Sequence, residues 1–148
     1  MNLLIVEDDN FKFERVEAVV KKARARATIT RQDNVRSTVM YLQRNRPDKM
    51  VLDMSLPTNA IRSGQGSPQP MPMGGVEILL ELRRLRYATV PVLVLTQYPD
   101  FEIDGENVEI LDAASRIAQV YSLPHVVASF YDDLSDRWES ELENFLRE

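Results

Sequence analysis

Acidic side chains stand at two places where a short apolar run of the sequence ends. Glu7, Asp8 and Asp9 follow the first apolar run, and Asp53 follows a later one. Apolar runs of four to eight residues bounded by turn signals are typical of buried strands. Open α/β sheets bind ligands at the carboxyl ends of their strands, so these acids are candidates for chemistry. Asp53 taken alone has an alternative role, which is to cap the loop or helix that follows it.

A hydroxyl side chain, Thr96, ends a further apolar run. If these runs are parallel strands, Thr96 meets Glu7, Asp8 and Asp53 at one edge of the sheet. Carboxylates crowded in this way repel one another unless one is protonated or a cation is bound, and Mg²⁺ is a natural cation for oxygen ligands. Such a pocket would let a carboxylate attack phosphorus while the metal neutralises the phosphoryl group. Thr96 could then donate a hydrogen bond to a phosphoryl oxygen.

Strands and helices alternate along the chain, which would place these side chains together. The predicted strands span 2–6, 28–30, 49–53, 91–95 and 124–129, and the predicted helices span about 10–26, 34–46, 74–87, 105–121 and 132–146. Asp9 is the predicted N-cap of the first helix. Strands alternating with helices indicate an α/β protein with a parallel sheet covered on both faces.

The first and last predicted helices each carry one apolar stripe at helical spacing. The stripes consist of Phe13, Val16, Val20 and Ala23 in the first helix and of Leu134, Trp138, Leu142, Phe145 and Leu146 in the last. Right-handed crossovers let these two helices share one face of the sheet, which would set the basic segment 11–36 beside the acidic segment 132–148.

Bulk composition narrows the classes of function. The 148 residues fit a single domain, and the absence of Cys with only one His leaves carboxylates as the metal ligands. The net charge of -5 gives no general attraction to nucleic acid. No apolar run reaches the roughly 18 residues of a membrane span, and the N-terminus lacks a signal peptide. We therefore expect a cytoplasmic protein that binds neither membranes nor DNA directly.

One segment, residues 58–73, departs from the alternating pattern. It contains three prolines and two glycines without periodic apolar positions. This composition predicts a long inserted loop. We expect the loop to be mobile in the free protein and to become ordered on a partner, and the alternating prolines leave an extended left-handed helix as a second possibility.

Four segments together resemble a response-regulator receiver domain of two-component signalling. They are the acidic-pocket motif LIVEDD at 4–9, the phosphoacceptor strand and turn at 47–57, the helix GVEILLELR at 75–83 and the switch strand PVLVLT at 91–96. The resemblance covers nearly the whole chain. It implies a flavodoxin-like (βα)5 three-layer sandwich whose five parallel strands have the order 2-1-3-4-5.

The resemblance also implies roles for individual residues. Asp53 would accept phosphate from a histidine kinase or phosphotransfer protein, and Thr96 would be the switch hydroxyl. Asp8, Asp53 and the backbone carbonyl of Ser55 would ligate Mg²⁺, with Glu7 assisting through water. These roles belong to a signalling protein rather than an enzyme.

Three departures from the family pattern bear on the output. Ala128 aligns with the Lys that the family carries at the end of its fifth strand, and Gln97 replaces a small residue after the switch Thr. The 58–73 insertion lengthens the connection between the Leu-Pro turn and the Gly that follows it in the family pattern. In the family that Lys pairs with the phosphoryl group. Its loss removes a charge-assisted bond and weakens the link between phosphate and conformational change.

These observations leave two hypotheses. The first is an atypical stand-alone receiver that uses Asp53 and Mg²⁺ to control an unidentified protein partner by direct contact, with a second copy of the chain as a further candidate partner. The alternative is a degenerate receiver that binds its partner independently of phosphorylation. An aspartate-nucleophile phosphohydrolase is disfavoured, because that class expects a second Asp where Ser55 stands.

Overall fold

The computed structural model describes residues 1–59 and 74–148. The predicted insertion at 58–73 lies outside the described residues except for its first two positions. The elements in chain order are β1 (Asn2–Val6), α1 (Asn10–Ala23), β2 (Thr28–Gln32), α2 (Val35–Arg44), β3 (Lys49–Leu52), α3 (Gly74–Arg84), β4 (Val92–Thr96), β5 (Asp100–Ile103), β6 (Glu106–Glu109), α4 (Ile110–Tyr121), β7 (Val126–Phe130) and α5 (Arg137–Arg147). No described helix has both the length and the apolar character that crossing a membrane requires.

Five strands form one parallel sheet in the order β2-β1-β3-β4-β7. Since β7 is the fifth strand of this sheet, the predicted flavodoxin-like order is confirmed. The central strands β3 and β4 are buried along their whole length, as expected when helices cover both faces. The core on one face includes residues of α2, α3 and α4, and the core on the other includes residues of α1 and α5. The carboxyl ends of β1, β3 and β4 therefore lie at one edge.

The prediction of a helix from residue 105 is wrong over its first five positions. Strands β5 and β6 pair antiparallel as a hairpin, and its turn residues Asp104 and Gly105 have φ angles of 53° and 78°. Asp-Gly is a strongly preferred pair for a two-residue hairpin turn, because both positions require positive φ. Ile103 and Val108 are buried in the core beside α4. The apolar periodicity around Val108 thus belongs partly to a strand.

Helix boundaries differ from the prediction at the two ends of the chain. Helix α1 ends at Ala23, and α5 begins at Arg137 instead of residue 132. Leu134, predicted to pack in the α5 stripe, is 96% exposed because it precedes the helix in a turn where the Asp132 carboxylate accepts from its backbone amide. Trp138 is fully buried as predicted.

Helices α1 and α5 lie on the same face of the sheet, as their positions in the sequence predict. The Arg15 guanidinium of α1 lies 3.0 Å from an Asp133 carboxylate oxygen and 3.5 Å from one of Glu139. The basic first helix and the acidic C-terminal segment therefore face each other. Exposed pairs of this kind each contribute little to stability.

Candidate functional site

Three carboxylates meet at the carboxyl edge of the parallel sheet. Glu7 and Asp8 follow β1, Asp53 follows β3, and one carboxylate oxygen from each lies within 4.8 Å of the others. Glu7 and Asp53 are buried, with 4% and 6% of their surface exposed, and Asp8 is half-buried. The parallel pairing of Val6 with Leu52 places the two strand ends side by side. The predicted convergence of these acids is confirmed.

The backbone of the acidic run is fixed by local hydrogen bonds. Asp9 caps α1 as predicted, since its carboxylate accepts from the Lys12 amide at 2.9 Å. The Asp9 amide in turn donates to a Glu7 carboxylate oxygen at 3.1 Å. The Arg31 guanidinium donates to the carbonyl oxygens of Glu7 and Asp8 at 3.2 and 3.4 Å. The helix cap and the β2 arginine therefore hold Glu7 and Asp8 in place.

Burial is the largest cause of a raised pKa in all three acids. Burial, followed by the nearby Asp53 charge, raises the pKa of Glu7 to about 8, against the opposing effect of Lys12. Burial also raises the pKa of Asp53, with Asp8 adding to the effect and Lys12 opposing it. Burial is the largest cause of the raised pKa of Asp8. Full ionisation of the three acids is therefore unfavourable unless a further cation is bound.

A buried lysine from helix α1 reaches this cluster. Lys12 is 3% exposed, and its Nζ lies 2.7 Å from a Glu7 carboxylate oxygen and 3.5 Å from Asp53 Oδ1. The same ammonium donates to the Leu95 carbonyl oxygen at 2.7 Å and lies 5.3 Å from the centroid of the Tyr131 ring. The site thus contains a positively charged side chain, Lys12, although β7 has neither Lys nor Arg.

Sequence reasoning missed Lys12, and a signal for it existed. Lys12 lies four residues before Val16, and Val16 lies four before Val20, so the three share one side of the helix. The predicted stripe began instead at Phe13, which is only half-buried. The position of Lys12 in line with Val16 and Val20, one turn after three acids, was the signal that its side chain could pair with them.

The remaining predicted residues lie around the same edge. Thr96 is fully buried, and its hydroxyl oxygen accepts from the Tyr98 amide at 3.2 Å. Ser55 is buried in the segment after β3, where its backbone forms a hydrogen bond that lowers the pKa of Asp53 against the larger effect of burial. Gln97 is exposed just beyond β4, and Ala128 is half-buried opposite Val94 in β7.

The donor set fits a hard divalent cation. All three acids offer carboxylate oxygens, which are ligands that Mg²⁺ and similar ions prefer. Asp53 Oδ1 is buried, and among the described residues it accepts no close hydrogen bond, since Lys12 Nζ lies 3.5 Å away. This oxygen therefore retains capacity for a further ligand. Lys12 supplies one positive charge against three carboxylates, so the cluster can accept more positive charge.

A parallel sheet of this order with an acid cluster at its carboxyl edge defines the receiver class of response regulators. No family model matches the chain. The Detocs response regulatory protein DtcB of Vibrio alginolyticus is 38% identical over 147 residues, which span 98% of this chain and 99% of that protein. The chain therefore belongs to the response-regulator family, whose members are signalling proteins rather than enzymes.

Solved structures share the fold at low sequence identity. A CheY-like receiver domain protein from Methanospirillum hungatei has a TM-score of 0.57 at 14% identity, with 99% of this chain and 96% of that chain covered. The Mn²⁺-bound response regulator Rcp1 has a TM-score of 0.63 at 18% identity, with 97% and 89% covered. The RcsB response regulator of Salmonella typhimurium has a TM-score of 0.62 at 11% identity, and this chain spans only 57% of its length.

Proposed function

We propose that residues 1–148 form one receiver domain in which Asp53 accepts a phosphoryl group in the presence of Mg²⁺. The observation that carries the proposal is the buried Asp53 carboxylate beside Glu7 and Asp8, with oxygens of all three within 4.8 Å. The donor would be a histidine kinase or phosphotransfer protein. The phosphorylated domain would then control a protein partner by direct contact.

The proposed transfer uses the chain's own groups as follows. An Asp53 carboxylate oxygen forms a bond to phosphorus while the phosphorus–nitrogen bond of the donor phosphohistidine breaks, and the bonding electrons stay on the imidazole nitrogen, which takes up a proton. Asp8, Asp53 and the Ser55 carbonyl would hold the metal, with Glu7 assisting through water. A bound Mg²⁺ would offset the negative charge of the incoming group. The Thr96 hydroxyl accepts from Tyr98 and keeps its own proton to donate to a phosphoryl oxygen.

Incubation with acetyl phosphate and Mg²⁺ tests this proposal. In this reaction the phosphorus–oxygen bond of the donor breaks and acetate leaves. We expect one aspartyl phosphate on the wild type, detected by intact mass, and none on Asp53→Asn. Asp112→Asn, which changes an exposed acid of α4, is the matched control and should be labelled like the wild type. Absence of label on the wild type, or equal label on Asp53→Asn, would contradict the proposal.

A phosphorylation-independent binding module is the second candidate function. It is favoured by β7, which contains neither Lys nor Arg and has Ala128 where the resemblance expects the phosphate-binding cation. In that case Asp53→Asn should leave the affinity for a co-purifying partner unchanged. A change of about tenfold or more, which corresponds to about 1.4 kcal/mol, would exclude this alternative.

A further inference from the structure

Lys12 is an unusual residue to find buried. Lysine is almost never fully buried unless it is paired, yet Lys12 is 3% exposed in the first turn of α1. Its three ammonium protons have a definite set of acceptors nearby. Glu7 and the Leu95 carbonyl oxygen each lie 2.7 Å from Nζ, whereas Asp53 Oδ1 lies at 3.5 Å. Two donors are therefore fully used, and the third is directed at Asp53 without a close hydrogen bond.

Lys12 is also the local source of positive charge for Asp53. Among the basic residues that the structure describes, it is the one that forms an ion pair with Glu7 or Asp53. Arg31 approaches the same segment, but its guanidinium donates to the backbone carbonyl oxygens of Glu7 and Asp8. Strand β7 contains neither Lys nor Arg and so contributes no positive charge.

We propose that Lys12 is the cation that pairs with the phosphoryl group on Asp53, so that helix α1 supplies the charge that β7 lacks. This inference rests on the proposed function of Asp53. A phosphoryl group on an oxygen carries roughly 1.5 to 2 negative charges near neutral pH, and here it would be attached beside two further carboxylates. The ammonium donor directed at Asp53 Oδ1 meets that charge without moving the helix.

The contacts of Lys12 distinguish this role from that of a purely structural lysine. A structural ion pair is expected to place all its donors at hydrogen-bonding distance, because a buried unsatisfied polar group is costly. Lys12 Nζ instead stays 3.5 Å from Asp53 Oδ1, a longer contact than its two at 2.7 Å. The Leu95 carbonyl and Glu7 hold the ammonium in position, and the acceptor that lacks a close contact is the oxygen proposed to carry or adjoin the phosphoryl group.

Beryllium trifluoride, an analogue of a phosphoryl group, tests the inference separately from phosphorylation chemistry. Its affinity is measured by calorimetry at saturating Mg²⁺ for the wild type, Lys12→Met and Lys49→Met. Lys49 is the matched control, since it is also buried but lies at the amino end of β3. We expect Lys12→Met to bind the analogue about tenfold more weakly or worse, because a charge-assisted contact is lost. Lys49→Met should bind it like the wild type.

The Mg²⁺ titration of each variant reports whether its site is folded. Lys12→Met should bind Mg²⁺ at least as well as the wild type, because the variant lacks the ammonium group that repels the metal. Unchanged binding of the analogue to a Lys12→Met protein that binds Mg²⁺ would overturn the inference and leave the proposed function standing. Failure of the wild type to bind the analogue would overturn both.

A measurement on the wild type covers the case in which Lys12→Met does not fold. The ¹⁵N signal of the Lys12 ammonium should shift when beryllium trifluoride binds, whereas the Lys49 signal should stay in place. A Lys12 signal that does not move on saturation with the analogue would overturn the inference.

Discussion

Two buried lysines lie at opposite edges of the same sheet and have different surroundings. Lys12, at the carboxyl edge, lies among the carboxylates of Glu7 and Asp53. Lys49, at the amino edge, donates to the Phe145 carbonyl in the last turn of α5, with its Nζ 5.0 Å from the Phe145 ring centroid. Burial lowers the pKa of Lys49, while Glu148 opposes that effect. Burial of a lysine therefore does not by itself decide its role.

The difference follows from the partner of each ammonium. A carbonyl at a helix C-terminus is a fixed dipole, so Lys49 satisfies an acceptor that the helix leaves open. The carboxylates near Lys12 change their charge when they bind a proton, a metal or a phosphoryl group. The amino edge therefore has one stable electrostatic arrangement, and the carboxyl edge has several.

Replacement of each lysine by Met gives the largest expected effect. In the presence of a metal chelator, Lys12→Met should lower the free energy of unfolding by about 3 kcal/mol, because it leaves two buried carboxylates without their ion-pair partner. Lys49→Met should lower it by about 1.5 kcal/mol, the contribution of one charge-assisted hydrogen bond. Urea denaturation of both variants measures the difference. Equal losses would remove the distinction between the two edges.

Addition of Mg²⁺ should act on the carboxyl edge alone. At a metal concentration about 100 times the dissociation constant, the wild type should gain about 2.7 kcal/mol of unfolding free energy. Lys49→Met should gain the same amount, while Asp53→Ala should gain much less because a ligand is missing. Urea denaturation with and without the metal gives these values. An undiminished gain in Asp53→Ala would place the metal elsewhere.

Gly75→Ala tests the backbone of the carboxyl edge instead of its charge. A Cβ at Gly75 would lie 2.8 Å from the Asp53 carbonyl oxygen and 2.7 Å from Met54 Sδ. We expect a loss of about 1–3 kcal/mol in stability from overpacking and weaker Mg²⁺ binding, since the segment after Asp53 must move. Glu77→Ala, at an exposed position of the same helix, is the control. Mg²⁺ affinity that is the same in both variants would show that this segment tolerates displacement.

The smallest expected effect comes from Tyr131, whose ring lies near Lys12. Burial, with Asp133 adding and Arg15 opposing, raises the pKa of Tyr131 to about 12 from its ordinary value of 10.0. The folded state therefore holds the phenol proton more tightly than the unfolded state. The resulting stabilisation is complete below about pH 10 and is lost as the pH rises through about 12. Tyr131→Phe lacks this loss, so urea denaturation between about pH 9 and about pH 11.5 should show its stability falling less steeply than that of the wild type.

The acid cluster was predictable because it depends on strand ends. Glu7 and Asp53 follow apolar runs, and in a parallel sheet such positions meet regardless of the loop conformations. Lys12 was harder to place because it lies within a helix instead of at a strand end, and helical periodicity alone does not say whether the end of a long side chain is buried. Its position in line with Val16 and Val20 was the available signal.

The β5–β6 hairpin was missed for a different reason. Val108 and Leu111 are spaced like a helical stripe, and the competing signal was the Asp104-Gly105 pair between alternating apolar residues. A short strand and a short helical stripe share their apolar residues, so periodicity alone cannot separate them. Turn chemistry decides the assignment here.

The hairpin also bears on the order in which parts of the chain fold. Phe101 pairs with Val108 across a two-residue turn, and α4 follows directly and packs against both strands. Hairpins of this kind form in about 1–10 μs. The pairing of Leu3 with Lys49, in contrast, requires closure of a loop that contains two helices and a strand, and the entropic cost of closure rises with loop length. The β5–α4 segment can therefore become ordered before the edge of the sheet that holds Asp53 is assembled.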